Sequence, residues 1–398
     1  MSSSPPAARA AAPAAACPTA RRARILVRRL HLWLGLGLGS LFALLGLTGS
    51  ALVFYTAIDA ALHPAVTIGR DAPAPAPTAA VWDRALATGR ARWHDPGGRW
   101  SIEITGESGA IPARYYPEPG HHAARMMVWF SPDGTRIVRA EPWGGYAMSW
   151  IYQLHMQLLA GDAGTAIVGW SGAAMLLLLA SGIAAWWPRG GWRKALEFKR
   201  DAAPIRRLRD LHKLAGLAGA LPLIVVVATG VLLALPAVTQ ALLAPAPLPA
   251  PAPASTPGRG HGRPITIAHA LAVAQATLPD GRIVFVDVAN GDAPIRVRLQ
   301  VPGDPHRRFP GSYVFVDRLA GAVLAVHDVR RAGSGTAMAR WIRALHDGSI
   351  GGLTTRIATV ALGLVPALLF ATGLLHWRRR RRGTHRPRRY GSSSEASP

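Results

Sequence analysis

The sequence is poor in cysteine, in acid and in charge of any kind. One residue of its 398 is cysteine, Cys17. A lone cysteine excludes a disulfide framework, a cysteine-based zinc cluster and covalent c-type haem attachment, all of which need cysteine pairs. Only 17% of the residues are charged, where a typical soluble domain has roughly 25%, and 50% are hydrophobic. Acids are scarcer than bases, 21 Asp+Glu against 45 Lys+Arg, a formal net charge of +24. On a soluble protein such an excess points to nucleic acid. On a membrane protein it marks topology. The positions of the charges decide between the two.

Long apolar runs are present. No charged residue lies between Arg29 and Asp59, between Asp162 and Arg189, between Lys213 and Arg259, or between Arg356 and Arg378. Each interval holds an apolar core of roughly 20 residues, the length a membrane helix needs. A single such run could be a buried soluble helix, but four with basic flanks predict a polytopic α-helical membrane protein. Residues 1–29, 188–213 and 378–398 together carry 23 basic and 4 acidic residues, a net of +19. The two long connections, 58–152 and 238–345, hold 21 basic and 15 acidic residues. The positive-inside rule places the three basic segments, and so both termini, in the cytoplasm, and the two connections outside. No nucleic-acid partner is required. The first run is too long for a signal-peptide core and reads as an uncleaved anchor.

The predicted organisation is a cytoplasmic basic tail (1–29), a first span (30–57), an exported module (58–150), a second span (151–187), a cytoplasmic loop (188–211), a third span (212–236), a linker and second exported module (237–340), a fourth span (341–377) and a basic tail (378–398). Residues 1–20 are Ala/Pro/Ser-rich and predicted to be disordered. The first module predicts a helix at Ala80–Trp93 and strands at Trp100–Ile104, Met126–Phe130 and Arg136–Ala140. The second, after the Ala/Pro linker Ala244–Pro257, predicts a helix at Thr266–Thr277 and strands at Arg282–Val288, Pro294–Val301, Ser312–Val316 and Ala322–Val329. Each is a small α+β module without a catalytic triad or P-loop. Its histidines, His63, His94, His121, His122, His261, His269, His306 and His327, read as solvated surface residues. The pair His121–His122 lacks a third ligand.

The two halves also match in register. His31 precedes Thr48-Gly49 by 17 residues, and His212 precedes Thr229-Gly230 by 17. His155 precedes Ser181-Gly182 by 26, and His346 precedes Thr372-Gly373 by 26. Gly35 and Gly216 lie four after their histidines, Gly161 and Gly352 six after theirs. The chain reads as a duplicated two-helix unit. With the predicted topology, His31 and His212 share the inner face, and His155 and His346 the outer face. A histidine at a membrane boundary commonly just sits at the interface, but facing histidines in a helix bundle can ligate a b-type haem without any cysteine. Two haems are predicted, one per pair, their iron held by those four residues. His376 ranks below them, because the matching position in the first half is Ala185. Gly35, Gly39, Gly216 and Gly219 would leave room for a flat macrocycle. Arg28, Arg29, Arg207 and Arg209 would meet the propionates of an inner haem, and Arg340 and Arg343 those of an outer one. The apolar runs begin about ten residues after His155 and His346, so the outer pair is expected on helix extensions or a short turn, with Gly161–Gly164 as a possible break. The Ser/Thr-Gly steps are assigned to helix packing. Arg356 is assigned to a propionate, a lipid headgroup or snorkelling.

The segments HLWLGLGLG…LTGSALVFY, LHMQLLAGDAG…SGIAAWWPR, LHKLAGLAGALP…ATGVLLA and LHDGSIGG…ATGLLHWRRR resemble the PepSY-associated transmembrane helix family, which includes iron-regulated inner-membrane proteins and ferric-siderophore reductases. The resemblance runs from about residue 25 to 382, and YVFVDRLAGAVLAV is similar to the strand–turn–strand core of a PepSY module. It implies two PepSY-like exported modules, haem ligation by His31, His212, His155 and His346, and outward electron transfer to ferric siderophores.

The expected protein is therefore a multi-pass protein of the bacterial inner membrane. Electrons would pass from a cytoplasmic or quinol donor to a ferric siderophore or another periplasmic iron complex. Reduction weakens the hold of hard oxygen ligands on iron. Two other readings stay open, a haem-free binding or regulatory protein and a permease for an iron compound. The permease is disfavoured by the lack of a buried charged pathway in four helices.

Overall fold

The computed structural model describes residues 18–71, 73–118, 124–188, 191–249, 264–291 and 293–384. Cys17, the His121–His122 pair, His261 and part of the Ala/Pro linker lie outside them.

Among the described residues, four helices are long and apolar enough to cross a membrane. They are α1 (Pro18–Val53), α5 (Gly161–Trp186), α7 (Pro204–Ala234) and α11 (Gly352–Thr384). In the bundle, α1 and α7 each pack between α5 and α11, which closes a four-membered ring. Small residues allow the closest crossing. Gly46 of α1 and Gly363 of α11 lie backbone to backbone with no room for a Cβ on either. Beside them the Ser50 hydroxyl donates to the Val360 carbonyl at 2.9 Å. Glycine is common at such membrane-helix crossings for this reason. The outer surface of the bundle exposes Trp170, Leu177, Leu221 and Leu353. So apolar a surface suits lipid and is unfavourable in water.

Three boundaries differ from the sequence expectation. Helix α1 begins at Pro18, inside the segment expected to be a tail. The second expected span, 151–187, is two helices, α4 (Ala147–Gln157) and α5. They are separated by Leu158 and Leu159 at φ 49° and 59° and by Gly161 at φ 60°. Left-handed backbone of this kind cannot continue a right-handed helix. The fourth, 341–377, likewise divides into α10 (Ser334–His346) and α11, with Gly348 and Gly352 at positive φ between them. The expected break near Gly161 is present and has a counterpart before Gly352.

Outside the bundle the chain forms one antiparallel sheet of eight strands in the order β4-β3-β2-β1-β5-β6-β7-β8. The strands are β1 (Arg99–Glu103), β2 (Ile111–Tyr116), β3 (Met126–Phe130), β4 (Ile137–Pro142), β5 (Arg282–Ala289), β6 (Ile295–Gln300), β7 (Ser312–Val316) and β8 (Val323–His327). Two exported α+β modules were expected; strands from both connections form one sheet, in which β1 pairs directly with β5, Ile102 opposite Val286. Helices α3 (Val81–Arg92) and α9 (Ile267–Thr277) cover one face over a single core that includes Trp100, Tyr115, Phe130, Val286 and Val297. Asp83 of α3 accepts the Ile267 and Ala268 amide hydrogens at 2.7 and 3.4 Å, capping α9 from the other half. Strand β2 escaped the sequence reading because Pro112 interrupts it, and proline is rare inside a sheet.

The opposite face of the sheet looks toward the bundle. Met127 and Trp129 pack there with Tyr146 and Met148, against Leu52, Tyr55 and Ile151. Short helix α2 (Tyr55–Leu62) carries Asp59, buried and bonded to Arg139 of β4 at 3.0 Å, which ties the end of α1 to the sheet. Arg356, assigned above to a propionate, a lipid headgroup or snorkelling, donates to the Val53 carbonyl and lies 4.4 Å from the Phe54 ring. It caps the C-terminus of α1, where carbonyls are left unbonded.

Candidate functional site: two histidine pairs

The structure brings together the histidines that the predicted sidedness paired. The His31 and His212 ring centres lie 6.2 Å apart at the end of the bundle where α1 and α7 begin. Those of His155 and His346 are also 6.2 Å apart, at the sheet end. The two sites are offset along α7 by the 17 residues from His212 to Thr229, the residue that meets His346, or about 26 Å at 1.5 Å per residue.

Each imidazole is held in the same way. His31 Nδ1 lies 3.2 Å from the Leu178 carbonyl and 3.2 Å from Ser181 Oγ. His212 Nδ1 lies 3.0 Å from the Leu369 carbonyl and 3.1 Å from Thr372 Oγ1. His346 Nδ1 lies 2.9 Å from the Val226 carbonyl and 3.4 Å from Thr229 Oγ1. His155 bonds the Leu45 backbone, with Nδ1 3.0 Å from Thr48 Oγ1. In all four the carbonyl lies three residues before the Ser or Thr. The hydroxyl donates to its own helix, for instance Thr48 to Leu44 at 2.8 Å and Ser181 to Leu178 at 2.8 Å, so it is available to the imidazole as an acceptor. A carbonyl can only accept, so each Nδ1 must carry a proton and, in the neutral imidazole, each Nε2 keeps a lone pair. No described residue hydrogen-bonds to any of these four Nε2 atoms.

The glycine of each step makes the room. A Cβ on Gly182 would lie 3.0 Å from His31 Cε1, on Gly49 3.0 Å from His155, on Gly230 2.9 Å from His346 and on Gly373 3.4 Å from His212. The Ser/Thr-Gly steps, assigned from sequence to helix packing, are therefore imidazole sockets. The signal for this was in the chain, as four histidines and four steps in matched register, but which step faces which histidine depends on the ring order of the helices.

Histidine with a lone pair on one nitrogen and the other donating to a carbonyl is the usual arrangement of a metal ligand and its outer support. An imidazole–metal bond is about 2 Å; adding roughly 1.2 Å from nitrogen to ring centre on both sides, one ion between two imidazoles separates the centres by about 6 Å. Both pairs match that spacing. Among the described residues no third His, Cys, Asp or Glu joins either pair to form a metal site. Two ligands alone suit a metal that brings its own equatorial donors, as haem does. An added Cβ at Gly35 or Gly216, one turn from His31 and His212, would meet a leucine side chain at ordinary contact distance, Leu178 at 3.9 Å and Leu369 at 3.5 Å. At Gly39 and Gly219, Phe370 and Val365 fill the hollows.

Other expectations resolve differently. His376 makes no hydrogen bond or ring contact with any described residue. His306, read as solvated, is 5% exposed and bonds Asp347. His63 lies 3.2 Å from Asp59. Arg343 stacks over Phe309 at 5.3 Å and Arg340 packs on Gly311, whereas Arg28, Arg29, Arg207 and Arg209 are exposed beside the His31/His212 pair.

The family model of the PepSY-associated TM region matches residues 28–380, and a membrane protein with four apolar helices and an attached β-sheet is the class that this fold defines. The chain belongs to the PepSY-associated TM family. No curated protein matches it.

Proposed function

We propose that this protein is a transmembrane electron carrier that binds b-type haem at His31/His212 and at His155/His346 and delivers electrons to ferric iron on the sheet side of the membrane. Haem bound at the two pairs would supply a one-electron relay, which the chain's own side chains lack. The observation that supports this reading is the fourfold socket, in which Nδ1 is anchored and Nε2 is left with a lone pair. Ser181, Thr48, Thr372 and Thr229, with their neighbouring carbonyls, orient the imidazoles and set their tautomers. The matched halves support a duplicated two-helix unit, and the strand order supports two PepSY-like modules joined in one sheet.

The clustering of Arg21, Arg22, Arg206, Arg207 and Arg378–Arg382 at the His31/His212 end supports a cytoplasmic position for that end in the inner membrane. A cytoplasmic or quinol donor would meet the bundle there. The sheet would then be periplasmic, and the substrate most consistent with the site is a ferric siderophore, whose oxygen ligands hold reduced iron weakly.

A reduced-minus-oxidised visible spectrum of the purified protein tests the reading. Two b-type haems per chain are expected. His31→Ala or His212→Ala should remove one and spare the other, and His155→Ala or His346→Ala should remove the second. Absence of any haem signal would overturn the proposal in favour of a haem-free binding module. Iron-dependent growth on a single siderophore then tests the substrate.

A further inference from the structure

The bundle-facing side of the sheet carries charge where an interface would ordinarily be apolar. The register sets Arg114 opposite Ser101, Ser101 opposite Asp287 and Asp287 opposite Arg296. In the next row Glu103 is opposite Phe285, Phe285 opposite Arg298 and Arg298 opposite Tyr313. All these residues alternate with core residues and so point away from α3 and α9. Arg308, on the loop after β6, joins them by bonding Glu103 at 2.8 and 3.0 Å.

The charges do not balance. Arg308 and Arg114 share Glu103, and Arg296 pairs with Asp287 at 2.7 Å. Arg298 has no hydrogen bond or ion pair with any described residue, and its Nε is buried. Its guanidinium lies 5.4 Å from the Phe285 ring and 4.9 Å from the Tyr313 ring, while Arg114 lies 4.8 Å from that same Phe285 ring. Four half-buried guanidinium groups thus surround two buried carboxylates. Burial opposes the charge on Arg296, Arg298 and Arg308. At Arg296 and Arg308 the paired carboxylate outweighs burial and raises the guanidinium. At Arg298 the neighbouring groups do not, and it is lowered. A half-buried cation left without an ion-pair partner is unfavourable, and a fork of donors on an aromatic ring is a standard recognition surface for planar carboxylate.

The layer adjoins the sheet-side histidine pair. Phe309 stacks on Phe285 at 6.0 Å and lies under Arg343, three residues before His346.

We infer that Arg298 and Arg114 form a carboxylate-binding site between the sheet and the bundle, open to a carboxylate from either of two sources, a propionate of a haem at His155/His346 or an acidic group on the incoming iron complex. The propionate arm rests on the haem reading above; the arginine layer does not.

The test uses the full chain in detergent, stripped of any cofactor, as wild type, Arg298→Met and Arg298→Lys. Haem and haem dimethyl ester, whose propionates are blocked, are titrated by absorbance, and citrate by tryptophan fluorescence. If the carboxylate is a propionate, the second equivalent of haem binds wild type at least tenfold more tightly than the ester, Arg298→Met abolishes the difference and Arg298→Lys keeps part of it. If it is substrate-borne, haem and ester bind alike, and citrate binds wild type at least tenfold more tightly than Arg298→Met. Without ligand, Arg298→Met should melt at or above the wild-type temperature, since it removes an uncompensated charge. Identical citrate binding and identical haem–ester discrimination in wild type and Arg298→Met would overturn the proposal, as would a lower melting temperature for ligand-free Arg298→Met. Failure of all haem binding with citrate binding intact would sink the haem reading and leave the arginine site standing.

Discussion

His306 and Asp347 join the sheet to the bundle beside the second histidine pair. His306 Nε2 and Asp347 Oδ2 are 2.9 Å apart. His306 Nδ1 accepts the backbone N–H groups of Arg308 and Phe309 at 3.2 and 3.1 Å. Its proton is therefore on Nε2 and is donated to Asp347, the residue after His346. This side chain ties the loop that carries Arg308 and Phe309 to the segment between α10 and α11. His306→Ala should loosen both ends. Hydrogen exchange is expected to rise in residues 302–311 and 346–351 together, with a loss of about 1 kcal/mol for the part-buried bond. Exchange that rises in only one segment would show that they are not coupled.

The glycine sockets predict a graded response. An added methyl at Gly230 meets His346 at 2.9 Å, and one at Gly373 meets His212 at 3.4 Å. Gly230→Ala should displace its imidazole and, under the proposed haem binding, lower the haem retained through purification, whereas Gly373→Ala, an ordinary contact, should be nearly silent. Equal effects would contradict the socket geometry.

The Asp59–Arg139 pair is buried, and Arg139 also stacks on Trp129 at 4.3 Å and Tyr146 at 4.6 Å. Arg139→Met strands the Asp59 carboxylate and should cost about 3–5 kcal/mol, while a double change to apolar residues should cost much less. Thermal melts of the single and double variants in one detergent decide it.

Glu103 gives the sheet a pH dependence. Burial alone would raise its carboxyl, but the charges of Arg308 and Arg114 and the Arg308 hydrogen bonds outweigh burial and hold it below its ordinary 4.5. A carboxyl lowered on folding stabilises the fold above its unfolded value, and that contribution is lost as pH falls through the lower folded value. Melting temperatures taken downward from pH 6 should therefore fall below about pH 4.5, and Glu103→Gln should flatten the part of that slope due to this group. An unchanged slope would rule out Glu103 as the source.

The helices, strands and histidines were largely legible in the chain because they depend on local pattern. Twenty-residue apolar runs, alternating strands and repeated spacings are properties of short segments. The strand at Pro112 was not legible, since its proline is tolerated only through its neighbours β1 and β3. The helix breaks before α5 and α11 were only hinted at by their glycines.

By itself the sequence determined four apolar helices, an excess of basic residues in the three segments that flank them, and four histidines in matched register. Tertiary structure alone decided that β1 would meet β5, that each Ser/Thr-Gly step would receive an imidazole from another helix, and that Arg298 would lie without a carboxylate partner between sheet and bundle. Those outcomes depend on which surfaces meet across more than a hundred residues of chain, and no local propensity encodes such a meeting.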